Sequence, residues 1–491
     1  MRIELRLLIL TVLLSGCGAR AYVKPTVDVP TAYKEGSNAW SPTPPQPGPT
    51  PPQPGWTPAM PRDAQDRGAW WEVFGSPQLN ELESRVSVSN QTIQKAVATL
   101  QQARAAVGVA RSGYFPTLNV GTSAQRFRTS KNVPGQQQLA GTTVNDFSVA
   151  VNASWEPDLF AKVGNAVNAA TALAQASDGD LASVQLSMQA ELATDYFDLH
   201  GNDAEIQLLQ KTVKYYQDAL DLVRHRFDGG IASDFDVAQA QTQLKTTEAQ
   251  LIDLNVAHAQ LQHAIATLIG EPASNFSLST DGSQLAPPAI PTGIPSQLLQ
   301  RRPDVAAAER RVAASNAGIG VATSAFFPDL MLSASGGLET SNVASWVMMP
   351  SRFWAIGPAL VGTVFDGGRR KSQVASADAA YAASVADYRQ IALTAFQEVE
   401  DNLAAGQTLA AEAQKQDMAV RSSQHALDVA LNRYKVGAVN YLDVIVAQST
   451  ALANERVATE IARRRSDASV SLIKALGGLW PEPQSSGKDA Q

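Results

Sequence analysis

The segment GVARSGYFPTL at residues 108–118 returns as GVATSAFFPDL at residues 320–330, 212 positions later, with 7 of the 11 residues identical. A second pair repeats farther along the chain. The 25 residues from Ala219 match the 25 residues from Ala426 at 9 positions, and both contain R-[FY]-x-x-G followed by D-V-x-x-A-Q. A fixed period indicates that one structural unit occurs more than once. The sequence therefore predicts two copies that each run helix, strand, loop, strand, long helix, turn, helix.

Four candidate strands follow the repeated segments, near residues 117–127, 146–156, 328–338 and 353–365. In the second one, small or polar residues alternate with the apolar set Phe147, Val149, Val151, Ala153 and Trp155. In the fourth, the residues predicted to share one face are Trp354, Ile356, Leu360 and Val364. Segments of about ten residues with this alternation are typical of membrane-barrel strands. A soluble hairpin with one buried face has the same period and remains the alternative.

Aromatic residues at both ends of these strands favour the membrane interpretation. The set at the helix-proximal ends is Tyr114, Phe115, Trp155, Phe326, Phe327 and Phe365. The set at the far ends is Phe127, Phe147 and Trp354. Two such girdles are a feature of the two interfaces of a lipid bilayer.

Long helices are predicted for residues 162–227 and 369–434, which contain no proline. Each would be about 100 Å long at 1.5 Å per residue, a length that suggests coiled-coil packing. Gly230 and Gly437 are predicted to end these helices in the left-handed conformation. Shorter helices then return, so that the helical hairpins cover residues 162–270 and 367–477. A soluble coiled-coil rod is the alternative, but it does not explain strands at the same place in both copies.

The N-terminus is predicted to be a targeting segment. Residues 1–16 have the charged start and short apolar core of a signal peptide, and they end in Leu14-Ser15-Gly16-Cys17, which fits a bacterial lipobox. Cys17 is the single cysteine of the chain, and we expect it to carry N-acyl and S-diacylglycerol lipid. Gly18 follows it in place of the aspartate that marks inner-membrane retention, so an outer-membrane destination is expected.

The predicted organisation continues from this anchor. Residues 17–60 form the lipidated N-terminus with a proline-rich tether, residues 61–290 the first repeat, residues 291–480 the second repeat, and residues 481–491 a flexible tail. Proline-rich segments are extended, semi-rigid spacers.

Composition argues against several functions. A net charge of −7 provides no basic face for nucleic acid, and one cysteine permits no disulfide framework. The five histidines form no metal motif, and the chain contains no nucleophile elbow or phosphate loop. We therefore expect no catalytic residue, no metal site and no cofactor besides the lipid. No apolar run of helix-spanning length follows the N-terminus, so any membrane crossing is expected to use strands.

Four strands cannot close a barrel alone. Two unpaired sheet edges in hydrocarbon would cost on the order of tens of kcal/mol, whereas folding yields only about 5–15 kcal/mol. Closure by other copies is therefore expected. Two copies would give eight strands with a filled interior, and three would give twelve strands with a wider lumen.

The chain resembles the outer membrane factors, the TolC-like channels, in their NodT/OprM lipoprotein branch. The resemblance rests on the lipobox, the duplication, the Phe-Pro pairs, FDGGR at residues 365–369, and LLQRRPDV at residues 298–305 with Ala308-Glu309. It implies a homotrimeric 12-stranded β-barrel in the outer membrane, continued by an α-helical barrel in the periplasm. The implied function is the passive exit duct of a tripartite pump for drugs or other small compounds. The implied partners are a periplasmic adaptor and an inner-membrane pump of the resistance–nodulation–division class.

The resemblance also assigns roles to the two helix-turn-helix tips, at residues 226–236 and 433–443. It implies that the tips face the adaptor, through Arg226, Gly230, Asp236, Arg433 and Gly437. Leu442 matches the apolar gate position of the family, and Asp443 lies beside it. Val446 stands where relatives often have aspartate, and Ser449 where they have arginine, so we hypothesise an apolar gate of Leu442 and Val446 closed by dewetting and packing. Ordinary packing between subunits is the alternative for both residues.

Arg301 and Arg302, before Pro303, are interpreted as a helix-start and interprotomer packing device, because Asp304 suits the positive end of a helix dipole. Alternative functions for the whole chain are a duct for type I protein secretion, a metal-efflux duct, and a structural envelope lipoprotein that does not conduct.

Overall fold

The computed structural model describes residues 21–30, 32–35, 68–132, 140–279, 288, 290 and 295–478. The predicted signal peptide, Cys17, the proline-rich residues 42–58 of the predicted tether and the predicted tail at 481–491 lie outside these residues. The elements of the described part, in chain order, are α1 (Pro77–Ser89), α2 (Gln91–Ser112), β1 (Thr117–Arg128), β2 (Thr143–Trp155), α3 (Lys162–Asp228), α4 (Asp234–Leu268), α5 (Pro295–Arg301), α6 (Pro303–Ser324), β3 (Asp329–Thr340), β4 (Arg352–Val361), α7 (Arg369–Lys435) and α8 (Tyr441–Ala475). None of these helices combines the length and apolarity that a membrane span requires.

Two compact units are formed. The sheet unit contains residues 100–177 and 308–388 together with the described residues up to Thr26. The helical unit contains the described part of the stretches 27–99, 178–307 and 389–478. The helix–strand–strand–helix–helix order of the sequence repeat occurs twice along the chain, as α2 to α4 and as α6 to α8.

The four strands form one antiparallel sheet in the order β1-β2-β3-β4. The first three begin and end close to the expected residues, but the fourth ends at Val361, so the assignment of Val364 and Phe365 to it was wrong. Val361 pairs with Asp329, the first residue of β3. Pro328 precedes it and has no N–H for a further rung of the ladder. The apolar alternation continues past this point, and it does not encode where the partner strand begins.

Each copy passes from strand to long helix through an aspartate. Asp158 accepts hydrogen bonds from the N–H groups of Val163 (3.0 Å) and Gly164 (2.7 Å) at the start of α3. Asp366 accepts one from the N–H of Gly368 (3.0 Å) and one from Nε of Arg370 (2.6 Å) at the start of α7. The bond from Arg370 lowers the pKa of the Asp366 carboxyl. Helix N-termini favour such acceptors because their first N–H groups have no helical partner.

Glu83 is an exception to the apolar interior of the helical unit. Its side chain is fully buried on α1, and neither carboxylate oxygen has a hydrogen-bond partner among the described residues. Burial raises its pKa from 4.5 to about 9, so the folded chain holds a proton that the unfolded chain releases above pH 4.5.

The sign of the resulting pH dependence follows from this proton. The unfolding free energy should fall as pH rises from about 5 towards 9, by at most about 1.4 kcal/mol per pH unit. Glu83→Gln should remove that dependence and raise the melting temperature at pH 8 more than at pH 5. Thermal unfolding at both pH values checks this, with the exposed Glu81→Gln on the same helix as control. An equal pH dependence in wild type and Glu83→Gln would contradict the assignment.

Candidate functional site

The register of the sheet places its apolar residues on one face. Residues directly opposite one another in an antiparallel sheet point to the same side, and successive residues alternate between sides. One row crosses all four strands as Leu118, Ala153, Ala334 and Ile356. The next row crosses them as Val120, Val151, Gly336 and Trp354. Leu118, Val120, Trp354 and Ile356 are at least 68% exposed, so the part of the chain that the structure describes leaves this apolar face uncovered.

The opposite face is made of small and polar residues in its central rows. One row contains Asn119, Asn152, Ser335 and Ala355. In another, the hydroxyl oxygens of Ser123 and Ser148 lie 2.8 Å apart. An apolar face that meets lipid and a polar face that meets water are the two surfaces of a membrane barrel strand. The expected alternation therefore assembles into two continuous surfaces.

Both edges of the sheet lack a partner strand within the described residues. β1 pairs with β2 alone and β4 pairs with β3 alone. An edge without a partner is a template for another strand.

At the far end of the long helices, the two helical turns pack into one tip cluster, defined by its buried residues Tyr216, Leu220, Val223, Ala240, Leu244, Tyr434, Tyr441 and Val444. Tyr434 and Tyr441 have ring centroids 5.3 Å apart. Burial raises the pKa of the Tyr216 and Tyr441 phenols, so both remain protonated at neutral pH. Both turns thus share one interior.

Arg226 connects the two turns directly. Its Nη1 donates a hydrogen bond to the carbonyl oxygen of Tyr434 at 2.5 Å, and its guanidinium lies 4.5 Å from the centroid of the Tyr434 ring. A cation above an aromatic face is attracted by the ring quadrupole. Sequence reasoning placed Arg226 at a tip but did not find its partner, because the two residues are 208 positions apart.

The predicted caps are confirmed. Gly230 and Gly437 have φ angles of 71° and 77°, in the left-handed region that glycine enters without steric cost. On the returning side, Asp236 forms a capping box with Ser233, and Asn440 accepts a hydrogen bond from the N–H of Asp443 at 3.1 Å. These caps define where each tip turns.

The proposed gate residues lie on the uncovered side of α8. Leu442 and Val446 are 49% and 59% exposed, whereas Tyr441 and Val444 on the same helix are buried in the tip cluster. Asp443 and Arg433 are also exposed. Leu442 and Val446 are therefore available for contact with water or with another copy.

Arg302 is a buried arginine in the helical unit. Its Nε and Nη2 donate to the two oxygens of Asp304 at 3.0 and 2.6 Å. Its Nη1 donates to Glu398 of α7 and to the carbonyl oxygen of Ala475 at the end of α8 (3.2 Å). The predicted helix start is found here, because α6 begins at Pro303.

A sequence model of the outer membrane efflux proteins matches residues 82–271 and 294–478. The pyoverdine export outer membrane protein OpmQ of Pseudomonas aeruginosa is 31% identical over 422 residues, which span 85% of this chain and 89% of OpmQ. The cation efflux system protein CusC of Escherichia coli is 28% identical over 421 residues, or 86% of this chain and 90% of CusC. The solved structure of the outer-membrane channel OprN is 26% identical with a TM-score of 0.81, covering 94% of this chain and 99% of OprN.

Proposed function

The chain belongs to the outer membrane efflux protein family and is the outer-membrane duct of an efflux system, and from this premise we propose how it works. Three copies join their sheets into a 12-stranded barrel, and the long helices form the periplasmic part of the duct. The duct receives drugs or other small compounds from an inner-membrane pump of the resistance–nodulation–division class through a periplasmic adaptor. Selection of the compound belongs to the pump.

One observation supports this proposal above the others: a two-faced sheet with an open edge on each side. In lipid, each unsatisfied backbone group costs several kcal/mol, so β1 of one copy and β4 of the next must pair. Twelve strands also make a barrel wide enough for a lumen, in contrast to eight. The polar inner face suits water and solutes.

Conductance tests the proposal. The purified mature protein should run as a trimer that heat converts to monomer, and it should conduct ions in planar bilayers. A trimer that does not conduct even when Leu442 and Val446 are both replaced by alanine would support the structural envelope lipoprotein instead. A monomer that stays in solution without detergent would reject the barrel itself.

The tips are proposed to contact the adaptor through the exposed side chains around Gly230 and Gly437. Ile231 and Val436, next to these glycines, are 72% and 80% exposed. A photoreactive residue at either position should capture a periplasmic adaptor in living cells, identified by mass spectrometry. The same probe at Ile252, which is exposed on α4, serves as control. Adaptor capture at Ile252 but not at the tips would refute the assignment.

Leu442 and Val446 are proposed to close the duct as an apolar constriction. Side chains four residues apart share one helix face, and narrow apolar constrictions exclude water. Leu442→Ala combined with Val446→Ala should raise single-channel conductance in planar bilayers by about twofold or more, because two large apolar side chains per copy are truncated.

Ile252 and Val256 provide the matched control for the gate. They are also apolar, exposed and four residues apart, on α4. Ile252→Ala combined with Val256→Ala should leave conductance at the wild-type level. If the Leu442/Val446 variant also conducts like wild type, these residues are ordinary packing.

Cys17 is proposed to carry the lipid anchor, and this anchor should aid sorting more than retention. The lipid holds the chain at the membrane before the barrel inserts, whereas the inserted barrel is afterwards held by its own lipid-facing surface. Nearby, the Tyr22 hydroxyl donates to Glu309 Oε1 at 2.5 Å, so the chain is bound again five residues after Cys17. Cys17→Ala with a cleavable signal should still yield outer-membrane trimer in membrane fractions. Its complete recovery as soluble periplasmic protein would contradict this.

A further inference from the structure

Three arginines stand at the end of the sheet that carries the β1–β2 and β3–β4 loops. Arg126 and Arg128 are near the end of β1, and Arg352 begins β4. Arg126 pairs with Asn145, Arg128 with Thr143 and Arg352 with Leu338. By the alternation of the strands, all three side chains belong to the apolar face. We call them the rim arginines.

Charges at this end are sorted by face. Asp146 lies opposite Gln125, and Glu339 lies opposite Ser148, so both acidic residues belong to the polar face. The apolar face at this level thus presents positive charge and the polar face negative charge. Arginines that were only hydrated would not require the acidic residues to lie on the opposite face. The separation of positive from negative charge therefore indicates an anionic partner on the apolar side.

The rim arginines are at the depth of lipid headgroups. Arg126 and Arg128 lie eight and ten residues beyond Leu118 on the apolar face, which is about 20 and 25 Å across the membrane for a strand tilted by about 40°. Arg352 lies two residues beyond Trp354, which is 79% exposed on the apolar face. An outer-membrane barrel has an apolar band about 25 Å tall that ends in aromatic residues. The arginines therefore stand at the outer edge of the hydrocarbon band, from which their long side chains can reach the headgroups.

Their guanidinium groups are available for a ligand. All three residues are exposed, and no ion pair joins any of them to another described residue. Arg352 Nε donates to the carbonyl oxygen of Met349 at 3.1 Å, which orients the side chain and leaves both Nη groups.

The two edge strands of the sheet carry different rim arginines. Arg126 and Arg128 are on edge strand β1, and Arg352 is on edge strand β4. If copies close edge to edge as proposed above, Arg352 of one copy comes to the same edge, face and end of the barrel as Arg126 and Arg128 of the next. Each junction between copies then carries three guanidinium groups.

We propose that the rim arginines bind the phosphate groups of a phosphorylated glycolipid of the outer leaflet, such as diphosphorylated lipid A, at each junction between copies. The long helices of an outer-membrane duct belong to the periplasm, so the loop end of the sheet faces the outer leaflet. The planar guanidinium fork of arginine matches phosphate oxygens with two hydrogen bonds. This inference rests on the proposed trimer.

Binding of lipid A to the purified trimer in detergent, followed by native mass spectrometry, tests the inference. The triple variant Arg126→Gln, Arg128→Gln, Arg352→Gln should bind diphosphorylated lipid A with an affinity at least about tenfold lower than that of wild type. A control variant with the same charge change, Lys95→Gln, Arg111→Gln, Lys371→Gln, alters three exposed residues on helices and should bind like wild type. Equal binding by the rim variant would overturn the proposal.

Further binding experiments use the wild-type trimer alone, so they test the lipid A proposal even if the rim variant does not assemble. Lipid A without phosphates should bind about tenfold more weakly. Equal binding of phosphatidylglycerol would overturn the glycolipid assignment, and full competition by millimolar inorganic phosphate would indicate a free-phosphate site. Gel electrophoresis of heated and unheated wild type, recorded in parallel, distinguishes failure of the proposed trimer from failure of the lipid A proposal. The absence of a heat-sensitive trimer band counts against the proposed function. A trimer band without preferential binding of diphosphorylated lipid A counts against this inference.

Discussion

Replacing Gly337 by alanine is expected to abolish the assembled protein. Gly337 faces Ala150 across the β2–β3 ladder. A Cβ atom at Gly337 would lie 2.1 Å from the carbonyl oxygen of Val149 and 2.8 Å from the Cα of Ala150. Both are backbone atoms that cannot move without separating the strands, so the cost should exceed about 3 kcal/mol. Gel electrophoresis of unheated outer membranes should show at least a tenfold loss of trimer.

Gly357 and Gly121 are the matched controls for this prediction. They lie on the same polar face as Gly337, on β4 and β1, and a Cβ at either would meet no atom within 4 Å. Gly357→Ala and Gly121→Ala should assemble like wild type. If all three variants assemble equally, the close approach of β2 and β3 at Gly337 does not exist and the register is wrong.

Removing the charge of Arg302 is expected to destabilise the helical unit strongly. Arg302→Met would leave Asp304, Glu398 and the carbonyl oxygen of Ala475 without their shared donor. The Arg302 side chain is only 10% exposed, but Asp304 and Glu398 are 31% and 45% exposed. Breaking a buried pair costs about 3–5 kcal/mol, and solvent screening at the carboxylates reduces this to about 2–4 kcal/mol. Thermal unfolding of the trimer in detergent measures the effect.

Three further variants identify the cause of that loss. Arg302→Lys keeps the charge without the planar fork and should lose less stability. Glu398→Gln added to Arg302→Met should recover part of the loss, because one unpaired carboxylate is removed. Arg421→Met, at an exposed arginine of α7, should change the melting temperature little. An Arg302→Met trimer as stable as the Arg421→Met trimer would show that the buried network contributes nothing.

Local patterns in the sequence identified the elements. The duplicated segments, the alternation after each of them and the proline-free stretches located four strands and two long helical hairpins, and Gly230 and Gly437 located the turns. Each of these signals is local, because strand period, helix period and left-handed caps depend on residues a few positions apart. The end of β4 was misplaced at residue 365 because it depends on Pro328, which directly precedes the partner strand β3.

Contacts between distant residues required the tertiary structure. Arg226 and Tyr434 are separated by 208 positions, and Arg302 meets residues 96 and 173 positions away. No local sequence pattern predicts contacts between residues so far apart in the chain.

Sequence patterns alone establish two copies of a strand-and-hairpin unit, with one apolar side on each strand. The tertiary structure decided the register, and the register made four separate alternations into one apolar face and one polar face. It also placed Gly337 where no side chain fits and brought the rim arginines to one side. The physical reason is that side-chain direction along a strand depends on neighbouring residues, whereas the residue opposite depends on how two distant segments pair.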